Sequence, residues 1–252
     1  MRGTQNEAGG PLIRVLSYNI HHGEGMDGKI DLTRLANVIK SVSPDLVSLQ
    51  EVDCLKPRTG TIDQLHELVH LTGMEGIFGC AIDSQQKGRY GNAVLSRFPT
   101  KSSNNDPLPG EPRAVLAVEV DLPSMSGNPS TMIFMATHFD TQAVPRQASV
   151  PLLEEGLASY PGKPALLAGD LNAVPQSPTL KALGRTWTNA TEGRELVTIP
   201  HRNPKQIDYI LFRPAERWSV VEAQVIDEKV ASDHFPLFAV LELLPARIRT
   251  EE

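Results

Sequence analysis

Six stretches of this 252-residue chain place a carboxylate, an amide or an imidazole at the end of an apolar, β-branched run. In order they are Ser17-Tyr18-Asn19-Ile20-His21-His22-Gly23, Leu49-Gln50-Glu51-Val52-Asp53, Thr137-His138-Phe139, Gly169-Asp170-Leu171-Asn172, Ile207-Asp208-Tyr209-Ile210 and Ser232-Asp233-His234-Phe235. Hard divalent cations take oxygen ligands, and a phosphoester under attack needs positive charge and donors at its non-bridging oxygens. Asn19 and His21 are two residues apart at a strand end, so their side chains share a face, and Asp170 and Asn172 repeat that spacing. Asp233 and His234 are adjacent, which suits a turn where both point inward. Each motif alone has a plainer reading: a helix cap or turn for Asp-Leu-Asn, an exposed strand end for Glu51, a satisfied core histidine for His138. Six of them, all at strand ends, are hard to explain as six independent caps.

An oxygen-rich set with few imidazoles favours Mg²⁺ or Mn²⁺ over Zn²⁺. The cation, His138, His234 and Asn172 can supply the charge and donors that a phosphodiester requires. Arg113 is a further candidate, against the plainer reading of a surface ion pair. An Asp–His pair raises imidazole basicity and fixes its orientation. The sequence leaves open whether Asp170 or His234 accepts the proton of an attacking water.

The elements that must position these groups follow from periodicity and turn residues. Residues 12–20 read as a strand, Asp31 caps a helix with the apolar face Leu32, Leu35, Val38, Ile39 and Val42, and 45–50 is a short buried strand. A second helix is expected over 62–71, with Gly73 as its C-terminal cap. Strands are expected at 76–82, 91–97, 113–121 and 131–138, separated by loops at 85–89, 104–112 and 123–129. A helix over 146–160 contains Pro151. A strand over 165–169 ends in Asp170, and a short helix over 179–183 and a polar loop over 186–206 follow. Strands at 207–212, 219–226 and 236–243 close the chain. Many strands with few helices imply an α/β fold of two packed sheets with helices outside. No linker or repeat splits the chain, so residues 11–245 read as one domain after a flexible, polar stretch over 1–10.

Composition narrows the partners. The formal net charge is -6 and aromatics are 5% of residues, which does not suit a nucleic-acid coat or a membrane-surface binder. The two cysteines, Cys54 and Cys80, lack metal-site spacing, and two thiols in a reducing compartment is simpler than a disulfide. The first ten residues lack the apolar core of a signal peptide, so a cytoplasmic protein is expected, or a secreted one if a leader was removed. No apolar run reaches the roughly 20 residues of a membrane span, and a monomer is expected.

The order Asn-Ile-His, Gln-Glu-Val, Thr-His, Gly-Asp-Leu-Asn, Ile-Asp-Tyr and Ser-Asp-His resembles the endonuclease/exonuclease/phosphatase superfamily, whose members include deoxyribonuclease I, inositol polyphosphate 5-phosphatases and neutral sphingomyelinases. The resemblance covers residues 12–243. Compact bacterial hydrolases of that superfamily share Asn19–Gly23, Tyr90–Pro99 and the Pro112-Arg113 pair. The resemblance implies a four-layer α/β sandwich of two mainly antiparallel sheets, with the site at one sheet edge. It implies Glu51 as the main metal ligand, Asn19 beside it and Asp233 reaching the same region. Asp170 would orient or deprotonate water, Asn172 would hold a phosphate oxygen, and His234, fixed by Asp208, would contact the scissile phosphate. His138 falls where other members place a phosphate-binding residue. His21 stands where many nucleases of the superfamily carry an acid; His21 and His22 could bind phosphate, help hold a metal, or pack. Tyr90 could stack on substrate. Arg194, His201, Arg202 and Lys205 could grip an anionic group, or form a solvated loop. The expected activity is metal-dependent phosphoester hydrolysis, with water attacking in line. The substrate would be a small molecule, a lipid head group or a nucleic-acid end. The alternatives are an endo- or exonuclease and a catalytically silent binding module.

Overall fold

The computed structural model describes residues 10–123, 130–201 and 203–246. The flexible stretch expected over 1–10 and the Arg202 side chain therefore lie outside the described residues. Gly10 is the exception, and its N–H is held by the Glu242 carboxylate at 2.9 Å.

The chain opens with β1 (Leu12–Asn19), α1 (Leu32–Ser41), β2 (Leu46–Cys54), α2 (Gln64–Thr72), β3 (Glu75–Asp83) and β4 (Arg89–Ser96). It continues through β5 (Thr100–Leu108), β6 (Arg113–Leu122), β7 (Ser130–His138), α3 (Ala143–Leu157), β8 (Ala165–Asp170) and α4 (Pro178–Leu183). It closes with β9 (Thr188–Asn189), β10 (Asp208–Arg213), β11 (Trp218–Val225) and β12 (Leu237–Leu243). Asp31 caps α1 through the Arg34 N–H, Asp63 caps α2 through the His66 N–H, and Gly73 ends α2 in the left-handed region.

Two six-stranded sheets result, ordered β11-β12-β1-β2-β4-β3 and β5-β6-β7-β8-β10-β9. The β1–β2 and β7–β8 pairs are parallel, and the remaining pairs are antiparallel. The period-two alternation of strands explains the layers. Ile13 and Val15 of β1, Phe134 and Ala136 of β7, Leu166 and Ala168 of β8 and Ile210 of β10 fill the space between the sheets. Their neighbours Leu16 and Tyr18 pack under α1 and α2, while Ile133, Met135, Leu167 and Tyr209 pack on the α3 side. The result is the four-layer sandwich expected from the sequence.

The inward-facing series also places the polar residues. Continuing the alternation along each strand leads from Val15 to Ser17 and Asn19, from Ala136 to His138, from Ala168 to Asp170, and back from Ile210 to Asp208. The intersheet layer is apolar over most of its length and polar at one end. Asn19, His138, Asp170 and Asp208 are all buried there.

Three expectations need correction. Residues 104–112 are not a loop throughout: 104–108 belong to β5, an edge strand paired with β6. Its polar sequence, with Pro107, hides it because an edge strand exposed to water needs no apolar alternation. The helix expected at 146–160 begins three residues earlier, at Ala143, and carries Pro151 within it. The 186–206 loop includes β9, a two-residue strand paired with β10. No described helix is long and apolar enough to cross a membrane.

Candidate active site

Strand register builds the site. Across β7, β8 and β10, His138 lies opposite Asp170, and Asp170 lies opposite Asp208. From the facing sheet Asn19 reaches into this row, its Nδ2 donating to Glu51 Oε1 and to Asp170 Oδ2, both at 3.2 Å. His138 Nε2 is 3.4 Å from Asp170 Oδ2. His234 Nδ1 meets Asp208 Oδ2 at 2.9 Å, and its Nε2 lies 3.8 Å from Asp170 Oδ2. Asn172 donates its backbone N–H to Asp170 Oδ1 at 2.8 Å, and its Nδ2 to the Phe139 carbonyl at 3.0 Å. Ser232 Oγ donates to the Asn19 carbonyl at 2.7 Å and so docks the 232–234 turn onto β1.

Backbone strain collects at the same place. His21, His22, Glu51 and Asn172 all have left-handed φ, between 43° and 61°. Residues with a Cβ pay for that conformation unless their surroundings fix it. At Glu51 it coincides with a shift in the β2–β4 register between Leu49 and Val52. Such an irregularity re-aims a side chain, and it accounts for a carboxylate that departs from the strict alternation of β2.

The charges differ sharply. Burial alone would raise the Glu51 pKa, but the His22 ring 3.9 Å away, His138 and the Asn19 amide outweigh it and hold the carboxyl at about 2. Asp170 is driven the other way by burial and by the facing Asp208 carboxylate, against His138 and His234. Burial opposes charge on His234, yet Asp208 prevails and pushes the imidazole up to about 10. Burial, helped by Arg113, lowers His138. The Arg113 guanidinium can only donate, so in the 3.1 Å contact His138 Nδ1 accepts and the ring proton sits on Nε2, toward Asp170 Oδ2. Asn172 Nδ2, 3.1 Å from Nε2, is itself a donor and gives its hydrogen to the Phe139 carbonyl.

Two oxygen-bearing sets could hold a cation. Asp170, Asp208 and His234 bring three ligand atoms within 4.8 Å of one another, but all three are buried and the imidazole is already paired and positively charged. The Glu51–Asn19 set suits a hard cation better. Glu51 is ionised and partly open to solvent, and the buried Nδ1 of His22 beside it has no hydrogen-bond partner. Asn19 Oδ1 accepts from the His21 N–H at 3.0 Å, so its amide orients the carboxylates as it stands. Asp233 Oδ1 lies 3.4 Å from Ser232 Oγ, whose proton goes to the Asn19 carbonyl, and it bonds to neither Glu51 nor the Asn19 side chain.

A groove of about 640 Å³ opens from Glu51, and Tyr90 and Arg113 line it as candidate substrate contacts. Much of Arg113 is already engaged, by Glu111 at 2.8 Å, the Tyr90 hydroxyl at 3.3 Å and His138. The His21 ring lies beside that of His22, tilted by 60° with centroids 4.5 Å apart, and uses its Nδ1 on the Glu24 carbonyl, so His22 is the histidine that flanks Glu51. Arg194 and Lys205 face a separate groove of about 760 Å³ beside Trp187 that holds none of the polar row, and His201 is exposed. Sequence reading passed over Gln64. Fully buried at the start of α2, it accepts from the Asp53 N–H at 2.9 Å and donates to the His22 carbonyl at 2.6 Å, tying the histidine loop to β2. A glutamine just after a helix cap carries no local sign of that duty.

The model of the endonuclease/exonuclease/phosphatase family matches residues 16–234. The chain is 29% identical over 255 residues to the uncharacterized protein YbhP of Escherichia coli, covering 92% of this chain and 96% of that protein. An endonuclease/exonuclease/phosphatase structure from Beutenbergia cavernae superposes with a TM-score of 0.78 at 25% identity, covering 93% of this chain and 72% of that one. The catalytic domain of human Nocturnin, solved with a bound sulfate anion, gives 0.74 at 21% identity, covering 92% and 94%. With the family model matching from β1 to His234, the chain belongs to the endonuclease/exonuclease/phosphatase family.

Proposed function

We propose that this protein is a divalent-metal-dependent phosphoester hydrolase in which water attacks phosphorus in line with the leaving oxygen. The observation that carries the reading is the row Glu51–Asn19–Asp170–His234–Asp208, in which neighbouring groups hold opposite roles. Glu51, with Asn19 and His22 next to it and Asp233 on the adjoining turn, would hold Mg²⁺ or Mn²⁺. When bound, that ion supplies Lewis-acid stabilisation of the charge that develops on phosphate oxygen.

Asp170 is the base. Its raised pKa brings a buried carboxyl closer to the strength needed to accept a proton from water, and its Oδ1 is held by the Asn172 N–H. His234 stays protonated in neutral solution, so it cannot take that proton. It acts as a charged donor to a phosphate oxygen, with Asp208 fixing its orientation. The Nε2–H of His138 and the amide of Asn172 complete the donors around the phosphate. Arg113 holds the His138 ring in the tautomer that can donate.

The test is a panel of phosphomonoesters and phosphodiesters assayed with Mg²⁺, with Mn²⁺ and with EDTA, beside the Asp170→Asn variant. Turnover that depends on metal and on Asp170 is the expected result. A protein inert on every ester, or indifferent to EDTA, is not this enzyme.

A further inference from the structure

The groove that opens from Glu51 carries charge that the hydrolytic row does not use. Lys56 and Lys87 line it, and among the described residues neither forms a salt bridge. The two lysines meet at one residue. Lys56 Nζ donates to Ser84 Oγ at 2.9 Å, and the Lys87 N–H donates to the Ser84 carbonyl at 3.1 Å in the turn that joins β3 to β4. Arg58 and Arg113 stand on the same wall, but each is neutralised, Arg58 by buried Asp53 and Arg113 by Glu111. The carboxylates facing this space are Glu51 and Glu111. With Glu51 given to a cation and Glu111 to Arg113, two positive charges remain.

The two loops that carry the lysines are packed backbone to backbone. A Cβ on Gly88, whose φ is +79°, would lie 2.4 Å from the Leu55 carbonyl oxygen. The turn bearing Lys87 is therefore pressed directly against the loop bearing Lys56, and only glycine permits that approach. The Tyr90 ring at the floor is covered by the Arg58 guanidinium, 5.6 Å from its centroid. That contact takes up one face of the ring.

We propose that this groove is a second-anion subsite: it binds a further phosphate group on the same substrate whose ester is cleaved beside Glu51. The substrate class is then a bisphosphorylated small molecule, with one phosphate at the hydrolytic row and the other between Lys56 and Lys87. The inference rests on the phosphoester-hydrolase reading, and its test separates the two.

Adenosine 3′,5′-bisphosphate and glucose 1,6-bisphosphate serve as probes from two sources, each beside its monophosphate. Binding is measured by calorimetry with Mg²⁺ in the Asp170→Asn background, where the cation balances Glu51 and hydrolysis is blocked, and turnover in the otherwise wild-type protein by phosphate release. The variants are Lys56→Ala/Lys87→Ala, the charge reversal Lys87→Glu on an exposed turn, and the control Lys40→Ala/Lys229→Ala. Removing both groove lysines is expected to weaken bisphosphate binding about tenfold and to collapse the bisphosphate-to-monophosphate ratio of kcat/KM towards one. The control pair should alter neither, and added salt should weaken the wild-type preference. A gain for both bisphosphates, or for only one of them, supports the subsite and identifies its source. Unchanged bisphosphate affinity in both groove variants overturns it, even if the enzyme hydrolyses phosphoesters. Absence of any turnover while lysine-dependent binding persists overturns the hydrolase reading alone.

Discussion

His234 Nδ1 sits 2.9 Å from Asp208 Oδ2, an imidazole from the turn before β12 set on a carboxylate at the start of β10. The second oxygen of Asp208 is buried without a partner, so the interaction with His234 is what this carboxylate does. Asp208→Asn and His234→Gln should each lower kcat by about 10²–10⁴. Because they remove one functional unit, the double variant should be little worse than either single. A double-mutant cycle in which the logarithmic losses add fully would dismiss the pair as a unit.

Glu51→Gln keeps the shape of the side chain and removes its charge. Mn²⁺ affinity, read by calorimetry or electron spin resonance, should fall by at least about a hundredfold. Circular dichroism should be unchanged, because the carboxylate lies at the groove mouth, outside the apolar clusters. Activity that persists at ordinary Mg²⁺ concentrations would assign the ligand elsewhere.

The rate should depend on pH through two different residues. Glu51 is ionised above about 2, so it does not set the acid limb of kcat/KM. Asp170 must be ionised to act as base, and its raised pKa moves that limb upward from where an ordinary aspartate would put it. Activity should then fall as pH rises through about 10, where His234 loses its proton. Stability follows the same signs. The His234 contribution is fully present below its ordinary value of 6.5 and is lost through about 10, while that of Glu51 is present above 4.5 and is lost as pH falls through about 2. A pH–rate profile and urea titrations across pH measure both. An acid limb at or below the pKa of an ordinary aspartate would remove Asp170 from the role of base.

Gly169 precedes Asp170 in β8, opposite Thr137 of β7. A Cβ there would lie 2.0 Å from the Thr137 carbonyl oxygen, a backbone atom that cannot yield without separating the strands. Gly169→Ala should cost about 2–4 kcal/mol in urea unfolding and displace His138 from Asp170. Wild-type stability in that variant would show that the parallel pair can open without penalty.

Periodicity and caps in the sequence are enough to locate β1, β2, β7, β8, β10, α1 and α2 to within a few residues. The same alternation that makes Val15, Ala168 and Ile210 core residues carries Asn19, Asp170 and Asp208 onto the inward face, because a strand repeats every two residues. β5 escapes that reasoning, since an exposed edge strand is held by backbone pairing and leaves no apolar pattern. Other features exist only once distant strands meet. His22 flanks Glu51 ahead of His21 because of left-handed turns and the grip of Gln64. Arg113 is partly committed to His138, and Lys56 and Lys87 converge because Gly88 lets two loops touch. Local sequence determines which residues face inward, because side-chain direction is a property of a few adjacent peptides. Which of those residues share a proton, a charge or a groove is decided by sheet order and register, and those depend on contacts that span most of the chain.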